Sequence, residues 1–424
     1  MVSTLIIIVF CIGYLCIAAE HSVKLNKAAT ALVTGVICWT IYMLGGSNGI
    51  EQVNGELFGH LASISEILFF LLSAMTIVEL VDAHDGFDII TSAIRTRNKV
   101  KLLWIVGFLS FFLSAILDNL TTTIVMVSLL RKLIDDRETR FYYIGMVVIA
   151  ANAGGAWTPI GDVTTTMLWI GHQITALNIM KELFLPSLIC MIVPLVLISF
   201  KMKGDLAAQS VDSETPKKSS IAERNMIFYL GLSSLVCVPI FKTYTHLPPV
   251  MGILLALGML WIITEMIHRD KTEEKKDAYS VVRALQRIDV TSVLFFLGIL
   301  LAIGALESVG ILHQLALLMN EKVGNLSIIV MGTGVASAIV DNVPLVAAAM
   351  KMYDLQTYPP DSYIWEFLAY CAGTGGSILI IGSAAGVAAM GMEQISFGWY
   401  LRKIAVYALA GFFAGAMLYM MMEG

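Results

Sequence analysis

Long apolar runs constrain this sequence more than any other feature, because many of them approach 20 residues. A helix needs about 20 apolar residues to cross the roughly 30 Å of hydrocarbon in a bilayer, whereas the strands of a membrane barrel are short and alternating. Hydrophobic residues make up 58% of the 424 residues and charged residues 14%, which is outside the range of soluble domains. We therefore predict an all-α polytopic membrane protein, with a cytoplasmic linker at residues 201–225.

Lysine and arginine are distributed unevenly among the loops, and loops rich in them face the cytoplasm. The best assignment places 23 of the 27 basic residues, including Lys27, on the cytoplasmic side and the N-terminus outside. The apolar stretch at about 102–133 then has basic clusters at both ends. A single helix of that length would measure about 48 Å, so we predict a re-entrant helical hairpin there.

Two sequence landmarks occur in both halves of the chain and in the same order. The pair Asp118-Asn119 precedes a glycine-rich stretch, and so does the pair Asp341-Asn342. Because the predicted directions of the two halves are opposite, we predict two inverted-topology repeats, an arrangement typical of secondary transporters. The first repeat covers residues 1–200, with the hairpin at about 102–133 and a broken helix at about 142–170; the second covers 226–424, with a hairpin at about 326–350 and a broken helix at about 363–390.

Asp118 and Asp341 each lie inside an apolar run that contains no other charged residue. A carboxyl group in hydrocarbon is costly, and it marks a functional site by default. An aspartate at a hairpin tip can also be a helix N-cap, which requires no ion. The occurrence of both aspartates in matched positions favours the functional interpretation.

Oxygen-bearing side chains gather at the hairpins and at the predicted helix breaks, where Pro159 and several glycines interrupt the apolar pattern. Oxygen ligands with little sulfur or imidazole suit Na+ or Li+, and buried carboxylates also bind protons. We expect no cofactor, no enzymatic activity and no nucleic-acid partner. The candidate ion- and proton-binding residues are Asp118, Asn119, Thr121, Thr122, Asn152, Thr158, Asp162, Thr164, Asp341, Asn342, Thr374 and Ser377. The candidate sodium ligands among them are Asp118, Asn119, Asn152 and Asp162.

Three of these stretches, Asp118–Thr123, Asn152–Asp162 and Asp341–Pro344, resemble the motifs of NhaD-type Na+/H+ antiporters of the ion transporter superfamily. The resemblance covers most of the chain. It implies exchange of Na+ or Li+ for H+ in the inner membrane by a homodimer whose transport part moves like an elevator against a scaffold part. The residues that it implies for ion binding are Asp118, Asn119, Thr121, Asn152, Asp162, Asp341 and Asn342. The chain has Ser383 in the second half where Asp162 stands in the first, which is a departure from two symmetric sodium sites.

Two alternatives compete with cation exchange. An anion carrier of the same fold, for arsenite or a dicarboxylate, would place basic groups beside the site, but the nearest basic residue after Asp118 is Arg131 at the predicted cytoplasmic surface. An intramembrane aspartyl protease could use Asp118 and Asp162 as a dyad. The sequence Pro159–Asp162 lacks the Gly-x-Gly-Asp pattern of those enzymes, so this is the weaker alternative.

Overall fold

The computed structural model describes residues 2–18, 25–45, 49–91, 94, 96–206, 220–269, 271–272, 276–277, 279–339 and 341–423. Residues 207–219 of the predicted linker lie outside these ranges. The described residues form helices and connecting loops, with one isolated β-bridge between Asn98 and Asp205.

The helices of the first half are α1 (Val2–Ala18), α2 (Lys27–Gly45), α3 (Ile50–Ala83), α4 (Asp88–Thr91), α5 (Lys99–Leu117), α6 (Asn119–Leu133), α7 (Arg137–Gly155), α8 (Val163–Ile170) and α9 (Ala176–Ser199). Those of the second half are α10 (Ile221–Thr245), α11 (Pro249–His268), α12 (Val281–Arg287), α13 (Val290–Ser308), α14 (Ile311–Val323), α15 (Leu326–Ala336), α16 (Asn342–Met352), α17 (Tyr363–Gly375), α18 (Ala384–Glu393), α19 (Phe397–Lys403) and α20 (Ala405–Glu423).

Among the described helices, eight are long and apolar enough to cross a membrane: α2, α3, α5, α9, α10, α11, α13 and α20. Helices α14 and α15 form a further apolar pair that is bent by 115° at a short break. These helices confirm the predicted all-α polytopic architecture. Helices α6, α8, α16, α17 and α18 have 15 residues or fewer and are too short to span the bilayer alone. Together with α7 they lie at the predicted hairpins and helix breaks.

Helices α5 and α6 form an antiparallel hairpin that turns at Asp118. The Tyr143 hydroxyl, near the start of α7, donates to the carbonyl of Lys99 at the start of α5 (2.6 Å). Helix α6 reaches α7 through only residues 134–136, so both ends of the hairpin lie beside the start of α7. Helix α5 then runs parallel to α7, and the Ser114 hydroxyl donates to the Ala151 carbonyl (2.6 Å).

Helices α15 and α16 occupy the second predicted hairpin, with Asp341 between them. Helix α15 makes the same kind of contact with α17. The hydroxyls of Ser327 and Tyr363 lie 2.8 Å apart at the start of the two helices. The Ser337 hydroxyl donates to the Ala372 carbonyl (3.2 Å) near their ends. The two hairpins are therefore attached to the following broken helix through equivalent serine-to-carbonyl bonds.

The two broken helices, α7–α8 and α17–α18, run in opposite directions. Helix α8 ends close to the start of α17, where the backbone N–H of Thr175 donates to the Asp361 carboxylate (2.6 Å). Helix α18 returns to the start of α7, where its last residue, Glu393, contacts Arg140. The inverted-repeat relation of the two complete halves remains a prediction of the sequence.

Glu393 joins the two halves at the end that is rich in basic residues. Its carboxylate is buried and accepts from Arg131 Nε and from Arg140 Nε (2.9 Å), while Arg137 donates to its carbonyl oxygen (3.1 Å). A buried carboxylate is stable when charged donors satisfy both of its oxygens. This cluster therefore fixes α18 of the second half to α6 and α7 of the first.

Replacing Glu393 by Gln is expected to lower the stability of the protein in detergent by about 2 kcal/mol, between the values for exposed and buried ion pairs. The change leaves the guanidinium groups of Arg131 and Arg140 without a carboxylate. Thermal unfolding followed by tryptophan fluorescence measures the loss. Glu321→Gln is the control, because the Glu321 carboxylate is exposed beside Lys322; an unchanged melting temperature in Glu393→Gln would contradict the assignment.

Candidate cation site

Four short helices, α6, α8, α16 and α18, begin at the polar interruptions of the fold. The residue that precedes each helix caps it, because its side-chain oxygen accepts from a backbone N–H of the first turn. The capping contacts are Asp118 Oδ1 with Thr121 N (2.8 Å), Asp162 Oδ1 with Thr164 N (2.8 Å), Asp341 Oδ1 with Val343 N (3.2 Å) and Ser383 Oγ with Gly386 N (3.2 Å). Three carboxylates and one hydroxyl thus occupy the positive ends of these helices.

Asp118 forms the turn of the first hairpin in a backbone conformation that is unusual for a residue with a side chain. Its φ is 80° and its ψ is 162°, a sparsely populated region that persists only where the surroundings enforce it. The second carboxylate oxygen accepts from the Thr121 hydroxyl (3.0 Å). Asp118, Asn119 and Asp162 line a small cavity of about 60 Å³ between the hairpin and helices α3, α10 and α13.

A chain of buried amides joins the two halves beside Asp118. The Asn119 amide donates to the carboxylate of Asp162 (2.6 Å) and to the side-chain oxygen of Asn152 (3.0 Å). The Asn152 amide in turn donates to the hydroxyl of Ser383 (2.9 Å). This network brings together the hairpin tip, both segments of the first broken helix and the start of α18.

Asp162 is held entirely by neutral donors. Oδ1 accepts from both the backbone N–H and the hydroxyl of Thr164 (2.8 Å each), and Oδ2 accepts from Asn119. The residue is 2% exposed. Among the described residues, no lysine, arginine or histidine forms an ion pair with Asp118 or Asp162. A buried carboxylate without a fixed counterion favours a mobile cation or a proton.

Several predicted site residues take part in main-chain contacts. The hydroxyls of Thr158, Thr374 and Ser377 donate to the carbonyls of Ala115, Tyr370 and Thr374, respectively (2.6 Å each). The Thr122 hydroxyl is buried without a hydrogen-bond partner in the described part of the chain. Thr121 and Thr164 satisfy the carboxylates that cap their helices, and the Asn342 side chain, buried at the start of α16, contacts the Asp162 carboxylate. The structure therefore gathers Asp118, Asn119, Thr121, Asn152, Asp162, Thr164 and Asn342 most tightly.

Asp341 differs from Asp118, because a lysine is beside it. The Lys27 ammonium lies 3.5 Å from Asp341 Oδ2. The sequence places Lys27 among the cytoplasmic basic residues, whereas its ammonium contacts the tip of the second hairpin. Sequence reasoning missed this pair because 314 positions separate the two residues. Ser383, which the sequence comparison matched to Asp162, joins the network through Asn152 although it is not among the twelve candidate residues.

Two larger cavities approach this region from opposite ends of the molecule. A cavity of about 240 Å³ at the end that carries Lys132 and Arg287 reaches Thr121. A cavity of about 910 Å³ at the other end contains His60, Glu307 and Lys351 and reaches α8 and α16. The polar network lies between them.

A membrane protein with two broken helices, opposed in direction and meeting at a buried polar network, has the architecture of a secondary transporter. A family model described as "Citrate transporter" (CitMHS) matches residues 7–367. The chain belongs to this CitMHS family.

The similar curated proteins carry more specific names. Sodium/proton antiporter 2 of Arabidopsis thaliana is 48% identical over 97% of this chain and 98% of its own length, and sodium/proton antiporter 1 is 51% identical over 97% and 71%. The Na(+)/H(+) antiporter NhaD of Alkalimonas amylolytica is 29% identical over 94% and 86%. The solved YdaH transporter of Alcanivorax borkumensis shares the fold, with a TM-score of 0.57 and 12% identity over 92% and 95%.

Replacing Asn152 by Ala is expected to destabilise the protein by about 2 kcal/mol, because it removes one partner each from the buried groups of Asn119 and Ser383. Ser383→Ala removes the second of these contacts together with the cap of α18 at Gly386 N. In a double-mutant cycle the two changes should be coupled by about 1 kcal/mol. Unfolding in detergent measures all three variants; strictly additive effects would show that the bond between Asn152 and Ser383 contributes nothing.

Proposed function

We propose that this transporter exchanges Na+ or Li+ for H+, and that both ions compete for the carboxylates of Asp118 and Asp162. The names of the similar antiporters support this proposal. Asn119 and Asn152 supply further oxygen and amide groups beside the two carboxylates. Hard oxygen ligands suit an alkali cation.

The observation that carries the proposal is the capping of the helix starts by carboxylates. A free helix N-terminus presents N–H groups and partial positive charge, and it attracts anions. Here the starts of α6, α8 and α16 are already occupied by Asp118, Asp162 and Asp341. Further negative charge at the same place would be repelled. The network is therefore suited to a cation and poorly suited to an anionic substrate.

Competition between the ions is sufficient to couple their movement. When a sodium ion leaves, protons bind to the same carboxylates, so neither the loaded nor the protonated form leaves both negative charges uncompensated. An empty network, with two ionised carboxylates that hold neither a sodium ion nor a proton, would be strongly disfavoured inside the protein. Exchange is therefore obligatory without a separate proton path, provided that the empty, unprotonated site does not switch from one side of the membrane to the other.

The anion alternative has one observation in its favour, because the family description names a citrate transporter. The Lys27 ammonium is the basic group that such a carrier would need beside the site. It is already paired with Asp341, and the neighbouring helix starts carry acidic caps. The protease alternative also loses support, because Asp118 and Asp162 cap different helices and the Asn119 amide binds Asp162.

The proposal also covers the oligomeric state of the protein, its membrane and its orientation. We infer that it works as a homodimer in a cytoplasmic (inner) membrane, with the N-terminus outside. The end that carries Arg131, Arg140 and Lys132 would then face the cytoplasm, in agreement with the charge distribution of the loops. The cavity that reaches Thr121 opens at this end, so Asp118 would be closest to the cytoplasm in this conformation.

Asp118→Asn and Asp162→Asn are each expected to abolish sodium-dependent exchange. Everted vesicles that contain the wild-type protein should lose a preformed ΔpH when NaCl or LiCl is added, and the variants should behave like vesicles without the protein. Asparagine caps helices as well as aspartate does, so both variants should keep the caps of α6 and α8 while they lose the charge, and Asp162→Asn also loses the bond from the Asn119 amide. Unaltered exchange in both variants would remove these carboxylates from the site.

Asp136→Asn is the matched control, since Asp136 caps α7 in the same way, through Thr139 N (2.9 Å), but is exposed. It should retain full exchange. A ΔpH that responds to citrate and not to NaCl in the wild-type vesicles would overturn cation exchange in favour of the anion carrier.

A further inference from the structure

The second hairpin tip carries an internal ion pair where the first carries none. Asp341 uses Oδ1 to cap α16 and Oδ2 to contact the Lys27 ammonium. Asp118 uses both oxygens for bonds from Thr121, which is neutral. The equivalent carboxylates of the two hairpins therefore differ in their counterion.

The capping residues of the second half also carry less negative charge than those of the first half. The first set consists of Asp118 and Asp162 and carries two negative charges when ionised. The second consists of Asp341 and Ser383 and carries one. Adding the Lys27 ammonium makes the second set neutral without any bound ion, while the first set still requires a cation or protons.

Contacts with helix α13 also hold Lys27 in place beside Asp341. Its ammonium lies 4.6 Å from the centre of the Phe295 ring on α13, a cation–π contact. Helix α2 packs closely along α13, because Gly35 lies against the carbonyl of Gly298 and the Trp39 indole donates to the Leu301 carbonyl (2.9 Å). The side chains of Lys27 and Asp341 are only 24% and 19% exposed, so solvent screens the pair weakly.

We propose that the Lys27 ammonium occupies at Asp341 the position that a second sodium ion would otherwise take. It acts as a built-in counterion, and it limits the transporter to a single sodium ion, bound at Asp118 and Asp162. This inference rests on the proposed cation exchange and specifies its stoichiometry. Lys27 is thus a specificity-determining residue that contacts neither of the two sodium-binding carboxylates.

Sodium binding to the purified, detergent-solubilised protein tests this assignment with ²²Na+. The wild type should bind a single ion at saturation. Lys27→Gln should double this capacity, because it frees the Asp341 carboxylate for a second ion. The double variant Lys27→Gln/Asp341→Asn should return to a single ion, and Lys27→Arg, which keeps the charge, should not gain one. Lost packing alone would not add a binding site.

Asp341→Asn in the otherwise wild-type chain gives an independent test if Lys27→Gln folds poorly. The variant should still bind a single sodium ion, whereas Asp162→Asn should lose it. Loss of sodium in Asp341→Asn, or a single ion in a folded Lys27→Gln protein, would overturn the counterion role. A wild-type protein that binds no sodium at all would instead contradict the proposed cation exchange.

Discussion

The cost of placing a carboxylate inside a membrane protein governs the arrangement of this structure. An isolated charge in hydrocarbon is strongly disfavoured, and so are the unpaired N–H groups at the start of a broken helix. Placing an aspartate at each start reduces both costs, because the carboxylate accepts from the N–H groups and benefits from the helix dipole. Asp118, Asp162 and Asp341 all follow this arrangement. The N-cap role and the proposed ion-binding role are therefore compatible. Capping lowers the free-energy cost of the buried carboxylate, and the negative charge attracts the cation.

The two halves differ in the number of carboxylates that cap the short helices α6, α8, α16 and α18: the first half has two and the second half has one. The Asp118 and Asp162 carboxylates lie in one network through Asn119, which donates to Asp162. In the second half Ser383 completes the cap of α18 without adding charge, and its hydroxyl accepts from Asn152 of the first half. A single charged network thus draws on both halves. Two equivalent sodium sites would require a second network of carboxylates. In the second half, the ion pair of Asp341 with Lys27 lies where such a network would be.

The sequence predicts the large elements of this fold well, because each depends on a local physical signal. Basic residues at both ends identify the hairpin that turns at Asp118, and glycines with Pro159 identify the break between α7 and α8. Contacts between distant segments have no such signal. The bond from Asn152 to Ser383 and the pair of Lys27 with Asp341 depend on how the halves pack. Hydroxyl residues are equally ambiguous, since Thr164 binds a carboxylate while Thr374 bonds to its own helix.

Close backbone packing determines where the protein can change its conformation. A methyl group at Gly154 would clash with the carbonyl of Phe111, and one at Gly375 would clash with that of Gly334. Each hairpin is thereby pressed against its broken helix, and the serine-to-carbonyl bonds of Ser114 and Ser337 reinforce the contact. The boundary with α3, α10 and α13 is different, because the small cavity there has a mostly apolar lining. Apolar surfaces slide without breaking hydrogen bonds, which favours this boundary for a change of access that keeps the ion network intact. Polar contacts that also cross it are the bond from the Lys242 ammonium to the Trp169 carbonyl (3.0 Å) and the ion pair of Lys351 with Glu307 (3.2 Å). The Lys27–Asp341 pair crosses from α2, which packs on α13, to the second hairpin tip, and it has to lengthen or break in such a movement.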